Sequence, residues 1–435
     1  MIDWLPWLFL GAMAIFALGW TVARVDVKEL LVESRALPQA YFKGLNFLLN
    51  EQQDKAIESF MEVTRANPEA VELQFALGGL FRRRGEVDRA IRVHQELSER
   101  TSLTPEQRAN ALIELAMDYQ KAGLLEHAEQ ILVDAIVKRI GNPQQQLSAK
   151  KNLLDIYVQE RAWRKAIDTA MQLPSHERST AAPGHPGSVE SSGEADDHHQ
   201  LAIANYHCEL ALQAQQDGNV DDVDRHLGDA LAANPKCVRA NLIRAGMLAD
   251  ASRHREAIAQ WLAIEQQDAA YLGLTIGRMW ASYQALDETE AGLAELNALQ
   301  QRNPSLDLLD GLFQATLAQG GAGAARELIR ESLQRNPTLQ GLEKFYEVEL
   351  LDAPEQQKAD AQVFRKLLHS HSSRLAIYLC RRCGFKAKQY YWQCPACSGW
   401  ETFPPKLTVE YDTAAQPPKA TMRGKFQAAN QGTPQ

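Results

Sequence analysis

The chain has 435 residues, 45% of them hydrophobic and 7% aromatic, with a formal net charge of −9. That length admits two to four ordinary domains or one long repeat array, and the plentiful Ala, Leu and Gln are those of a helical protein. The acidic balance gives no support for broad, non-specific binding to nucleic acid.

From Trp4 to Ala23 twenty residues carry no charge, bounded by Asp3 and Arg24. At ~1.5 Å per residue the stretch spans ~30 Å, the thickness of a bilayer core. Trp4, Trp7 and Trp20 fall near its ends, where amphipathic rings prefer the interface. The pattern predicts a transmembrane anchor over residues 1–23. A cleaved signal peptide is the alternative, but no Lys or Arg precedes the apolar run and Asp3 has the wrong sign for one. Arg24, Lys28, Arg35 and Lys43 follow the span and none precedes it, so the long remainder is expected on the cytoplasmic side.

Over residues 37–173 and 200–371 a short pattern recurs. A small residue is followed by a large one, then by Ala, then by an apolar residue, with Pro often closing the unit. Gly44, Phe47, Ala56, Phe60 and Pro68 form the first instance; Gly78, Phe81 and Ala90 the second, 34 residues on. Ala116, Tyr119, Ala128 and Leu132 follow, then Tyr157, Ala166 and Ala170. After a break come Ala211, Leu227 and Ala230, then Ala257 and Trp261, Trp280, Tyr283 and Leu296, and Ala325 and Ile329. This spacing resembles the tetratricopeptide repeat, in which small residues let two helices approach and large ones fill the space between. The expected fold is therefore all-α, a solenoid of helix pairs, since no unit buries its apolar face alone.

Pro174 to His199 interrupts the array with Pro, Gly, Ser and acidic residues, the composition of a flexible insertion, and His185, His198 and His199 are expected to be solvated. Leu339 to His371 reads as capping helices, and residues 405–435 as a disordered tail. Arg82-Arg83-Arg84 sits at a helix end; a water-exposed basic C-terminus is favoured over a groove-lining role. Cys208 and Cys237 stand singly in helical patterns and are expected as small core residues rather than a disulfide. No nucleophile elbow, phosphate loop or His-Glu-x-x-His is present, so no catalytic residue is assigned.

The strongest chemical signal lies in residues 376–404, where Cys380-Arg-Arg-Cys383-Gly384-Phe385 precedes Trp392-Gln-Cys394-Pro395-Ala-Cys397 and Trp400. Two Cys-x-x-Cys turns bring four sulfurs to ~2.3 Å from one tetrahedral ion, a set that suits zinc or a single iron. Buried or disulfide-linked pairs are the alternative. Gly384 is suited to the positive φ of the first turn, whereas in the second the glycine, Gly399, comes one residue later. About 25 residues are too few to fold on apolar burial alone, so the ion would supply much of the folding energy. Arg381, Arg382, Lys386 and Lys388 beside Phe385, Tyr390, Tyr391, Trp392 and Trp400 would also suit nucleic acid. Aromatic residues in so small a module more often form its core, and no nucleic-acid partner is assigned.

An anchor, a tetratricopeptide array and a terminal tetracysteine module, in this order, resemble the lipopolysaccharide assembly protein B family over nearly the whole chain. The resemblance implies a rubredoxin-like metal module packed against the repeats, with Cys380, Cys383, Cys394 and Cys397 as ligands of one iron or zinc ion. It further implies a non-enzymatic, single-pass inner-membrane adaptor with its repeats and metal module in the cytoplasm. Such an adaptor promotes degradation of the LpxC deacetylase by the FtsH-type membrane protease and gathers other lipopolysaccharide-assembly proteins. A homodimer is a further association the array allows. If the ion is iron, a membrane-tethered, rubredoxin-like electron carrier is the alternative.

Overall fold

The computed structural model describes residues 39–67, 69–174, 192–352, 354–372, 378–387 and 389–404. The expected anchor over residues 1–23, His185 and the tail after residue 404 lie outside the described residues. Among the described residues no helix is long and apolar enough to cross a membrane.

The chain divides into two compact units, Met1–Ala162 and Trp163–Gln435. The first contains α1 (Gln39–Leu49), α2 (Gln53–Ala66), α3 (Val71–Arg84), α4 (Val87–Glu99), α5 (Pro105–Lys121), α6 (Leu125–Val137) and α7 (Pro143–Gln159). The second opens with α8 (Trp163–Met171), α9 (Ser192–Gln216), α10 (Val220–Ala233), α11 (Val238–Asp250) and α12 (His254–Asp268). A 3₁₀ segment, Ala269–Leu274, then leads to α13 (Ile276–Ala285), α14 (Thr289–Arg302), α15 (Leu306–Arg335), α16 (Leu339–Asp352) and α17 (Glu355–Ser372). Two short strands, β1 (Tyr378–Leu379) and β2 (Lys386–Ala387), belong to the terminal module.

Local sequence explains where the helices start and turn. Thr104 and Asn142 each form a capping box, with Gln107 and Gln145 respectively, ahead of a proline in the first turn. The turn inside each helix pair carries one residue of positive φ. In the first unit these are Glu51, Gly85, Gly123 and Arg161, spaced by 34, 38 and 38 residues; in the second Gly218, Ser252, Asp287 and Gly321, spaced by 34, 35 and 34. The turn at Gly321 divides α15 into two helices. The repeat is thus written in the backbone as well as in the side chains.

Packing follows the same period. Ala56, Ala90, Ala128, Ala166, Ala230, Ala257 and Ala325 are all 0% exposed, one for each pair in which the sequence places this alanine. Phe60, Phe81, Leu132, Leu227, Trp261, Leu296 and Ile329 are buried beside them. A Cβ on Gly44 would lie 2.5 Å from Phe60 Cε1, and one on Gly78 would lie 2.4 Å from His94 Nε2, so both glycines mark true close approaches. First helices of neighbouring pairs touch, as α3 does α5 and α9 does α11. The result in each unit is tetratricopeptide stacking.

Three expectations need correction. The insertion ends sooner than His199, because α9 already begins at Ser192. His199 is buried and lies 3.2 Å from the Ala170 carbonyl, while His198 is exposed. Arg82 is not a solvated helix end: its side chain is 16% exposed and pairs with Glu114 at 2.5 Å and with Asp118 at 2.7 Å. The fully buried Asp118 also meets His94 Nδ1 at 2.5 Å, so a buried charge network replaces the expected surface cation. Arg83 and Arg84 are exposed.

Candidate metal centre

The terminal module is built from two sharp turns. β1 and β2 pair antiparallel, Tyr378 with Ala387 and Leu379 with Lys386, and hold the first turn between them. There the Gly384 N–H donates to the Cys380 carbonyl and the Cys380 N–H to the Phe385 carbonyl, each at 2.9 Å. The second turn repeats this with Ser398 to Cys394 and Cys394 to Gly399, both at 2.8 Å. Gly384 has φ 74° and Ser398 φ 54°, so in the second turn the left-handed position falls on the serine and not on Gly399.

These turns bring the four cysteine sulfurs within 4.8 Å of one another. Cys380 and Cys397 are 3.7 Å apart, as are Cys383 and Cys394. Sulfurs held ~2.3 Å from a tetrahedral ion stand ~3.8 Å apart, so the cluster has the dimensions of a closed four-sulfur site. Neither the disulfide nor the chance-pair alternative produces that spacing, since bonded sulfurs lie ~2.0 Å apart. Cys380, Cys394 and Cys397 are buried and Cys383 is exposed. Burial works against ionisation of Cys380, but the Thr402 hydroxyl, 3.3 Å away, and the Arg382 and Cys383 N–H groups outweigh it and bring the thiol down to about 7. Burial pushes the thiols of Cys394 and Cys397 up. A cation among them restores the thiolate form, and the set constitutes a tetracysteine site for one iron or zinc ion.

Most of the module's aromatic residues are spent on packing. Phe403 is fully buried against Phe385 and Tyr391, and Tyr378 meets Tyr390 edge-on at 5.3 Å. Trp400 stands edge-on to Trp163 and Tyr206, at 6.3 and 6.0 Å between ring centres, and Trp392 stacks on Tyr271 at 6.3 Å. Arg239, buried at the start of α11, lies over both tryptophans, 5.4 Å from Trp392 and 5.6 Å from Trp400, and pairs with Glu209 at 2.6 Å. A buried guanidinium between two rings and a carboxylate has its charge matched on each side.

Glu401 completes the docking. Its carboxylate accepts from the backbone N–H groups of Val238 at 3.0 Å and Arg239 at 3.3 Å, and from Asn205 Nδ2 at 3.1 Å. The module thereby caps the N-terminus of α11, where unpaired N–H groups and the helix dipole favour an anion. Burial nevertheless pushes the Glu401 carboxyl up, against the pull of these donors. The Tyr271 hydroxyl donates to the Glu401 carbonyl at 2.5 Å, and Arg381 pairs with Asp268 at 2.7 Å. Cys237 and Cys208 are fully buried with their sulfurs 3.8 Å apart, unbonded as expected, and Cys237 Sγ lies 3.2 Å from the same Glu401 carboxylate. None of Glu401, Arg239, Tyr271 or Asp268 stood out in the sequence, because each gains its role from a contact more than a hundred residues away.

Similarity to known proteins agrees with this architecture. Residues 378–405 match the rubredoxin metal-binding domain family, and residues 43–98 and 208–271 match the tetratricopeptide repeat. Lipopolysaccharide assembly protein B of Escherichia coli (strain K12) is 32% identical over 403 residues, 92% of this chain and 97% of that protein. The protein of the same name from Haemophilus influenzae is 25% identical over 418 residues, 93% of this chain and 99% of its own. With repeats, metal module and nearly full-length similarity in agreement, the chain belongs to the lipopolysaccharide assembly protein B family.

Proposed function

We propose that the chain is a non-enzymatic inner-membrane adaptor that limits lipopolysaccharide synthesis by delivering the LpxC deacetylase to an FtsH-type protease. On this account it also gathers other lipopolysaccharide-assembly proteins. The observation that carries the proposal is the nearly full-length similarity to lipopolysaccharide assembly protein B. A body of tetratricopeptide pairs supports it, since such arrays present extended surfaces to peptides and proteins. The uncharged run Trp4–Ala23, with basic residues only after it, supports a single-pass anchor and a cytoplasmic body. Tethering both partners to one membrane raises their effective concentration.

In this proposal Cys380, Cys383, Cys394 and Cys397 ligate the ion, and its role is structural. Four sulfurs close the tetrahedron and leave no position for a substrate water. The residues around the site, Trp392, Trp400 and Glu401, are engaged with repeat helices, which favours a docking role over electron transfer.

The test is the half-life of LpxC in cells, followed after synthesis is stopped. Depletion of the adaptor should lengthen it, and the full chain should restore it where a form lacking residues 1–23 does not. An unchanged half-life on depletion would refute the proposal.

A further inference from the structure

The structure carries a second cluster of metal-ligating side chains, distinct from the cysteines. We propose that His207, on α9, and His226 and Asp229, on α10, form a site for a divalent transition ion of the zinc class. His207 Nδ1 lies 3.9 Å and His226 Nδ1 4.0 Å from the same oxygen, Asp229 Oδ2, and the three donor atoms all fall within 4.8 Å of one another.

The helix register explains the convergence. His226 and Asp229 are three residues apart and share a face of α10. Packing of α9 against α10 brings His207 opposite them, with the two imidazole rings 6.0 Å apart.

Two features distinguish the cluster from an ordinary surface ion pair. Both Nδ1 atoms are buried and neither has a hydrogen-bond partner, although His226 as a whole is only 8% exposed. Buried polar atoms of this kind are normally satisfied, and two aimed at one carboxylate call for a shared partner. Burial also holds both imidazoles below their ordinary pKa, keeping them in the neutral form that ligates metal. Arg225, the nearest printed cation on α10, is itself paired with Asp222 at 2.6 Å and so offers reduced repulsion to an incoming ion.

The chemistry follows from the donor set. Two imidazoles and one carboxylate suit zinc or a neighbouring transition ion, with a water in the fourth position. Donors ~2.1 Å from such an ion at tetrahedral angles stand ~3.4 Å apart. The Asp229 side chain is 49% exposed, so a small rotation of it closes the difference without moving either helix.

The experiment is equilibrium dialysis of the full chain, already carrying one ion in its cysteine site, against free Zn²⁺. The wild type should bind a second equivalent. Asp229→Asn, His207→Gln and His226→Gln should each weaken that second equivalent at least ~10-fold while the cysteine-bound ion stays at one per chain. Asp229→Asn, at a half-exposed position, keeps the test decisive if a histidine variant fails to fold. Absence of a second equivalent in the wild type would overturn the site, as would its unweakened retention in Asp229→Asn and a folded His207→Gln.

Discussion

The carboxylate of Glu401 accepts the backbone N–H of Val238 at 3.0 Å, so a residue of the metal module caps a repeat helix that begins 163 residues earlier. The same carboxylate takes the Arg239 N–H and Asn205, and three donors converge on one side chain. Glu401→Ala leaves all three without their acceptor. Removing an acceptor from buried donors costs ~1–3 kcal/mol. Thermal unfolding should therefore begin earlier in Glu401→Ala, with the metal still present at one per chain. Glu401→Gln, which keeps an oxygen acceptor, should lose less.

Arg82 should prove a structural residue of the first unit. Its partner Asp118 is fully buried and also meets His94, so losing the guanidinium leaves a buried carboxylate underpaired. Breaking such a pair from one side costs ~3–5 kcal/mol. Arg82→Met should lower the urea midpoint of the first unit markedly. Arg83→Ala, at an exposed position on the same helix, should change stability by less than ~0.5 kcal/mol.

Burial pushes the Asp155 carboxyl up to about 7. An unfolded aspartate titrates near ~3.9, so between these values the native state holds a proton that the unfolded chain has released. Stability contributed by this group therefore falls as pH rises from about 4 to about 7, and levels off above that window. Asp155→Asn cannot ionise. Relative to that variant the wild type should lose stability between pH 4.5 and 7.5, compared by urea midpoints; parallel profiles would contradict the assignment.

Much of this architecture was legible in the sequence because it is periodic or local. The alanines from Ala56 to Ala325 show their spacing directly, and each is buried where that spacing places it. The two Cys-x-x-Cys turns are likewise local, and their sulfurs meet at metal-site distances. What escaped was non-local. Nothing near Glu401 announces the N-terminus of α11, and nothing near Arg239 announces two tryptophans of the metal module. His199 and Arg82 were misjudged for the same reason, since polar residues look solvated until a distant partner such as Ala170 or Asp118 is seen. In the second cysteine turn, Ser398 adopts the positive φ because the turn geometry is set by the cysteine spacing and outweighs the side-chain penalty.

The central claim is that the ion acts by holding the metal module onto the repeat helices. Cys383→Ser, or removal of the ion by a chelator, should unfold that module and withdraw Glu401 from α11. Hydrogen exchange of the full chain tests this directly at the Val238 and Arg239 amides, which Glu401 covers. The account predicts that both amides lose protection on metal removal while amides of α3 and α4 exchange as before. Unchanged protection at Val238 and Arg239 in the metal-free protein would contradict it.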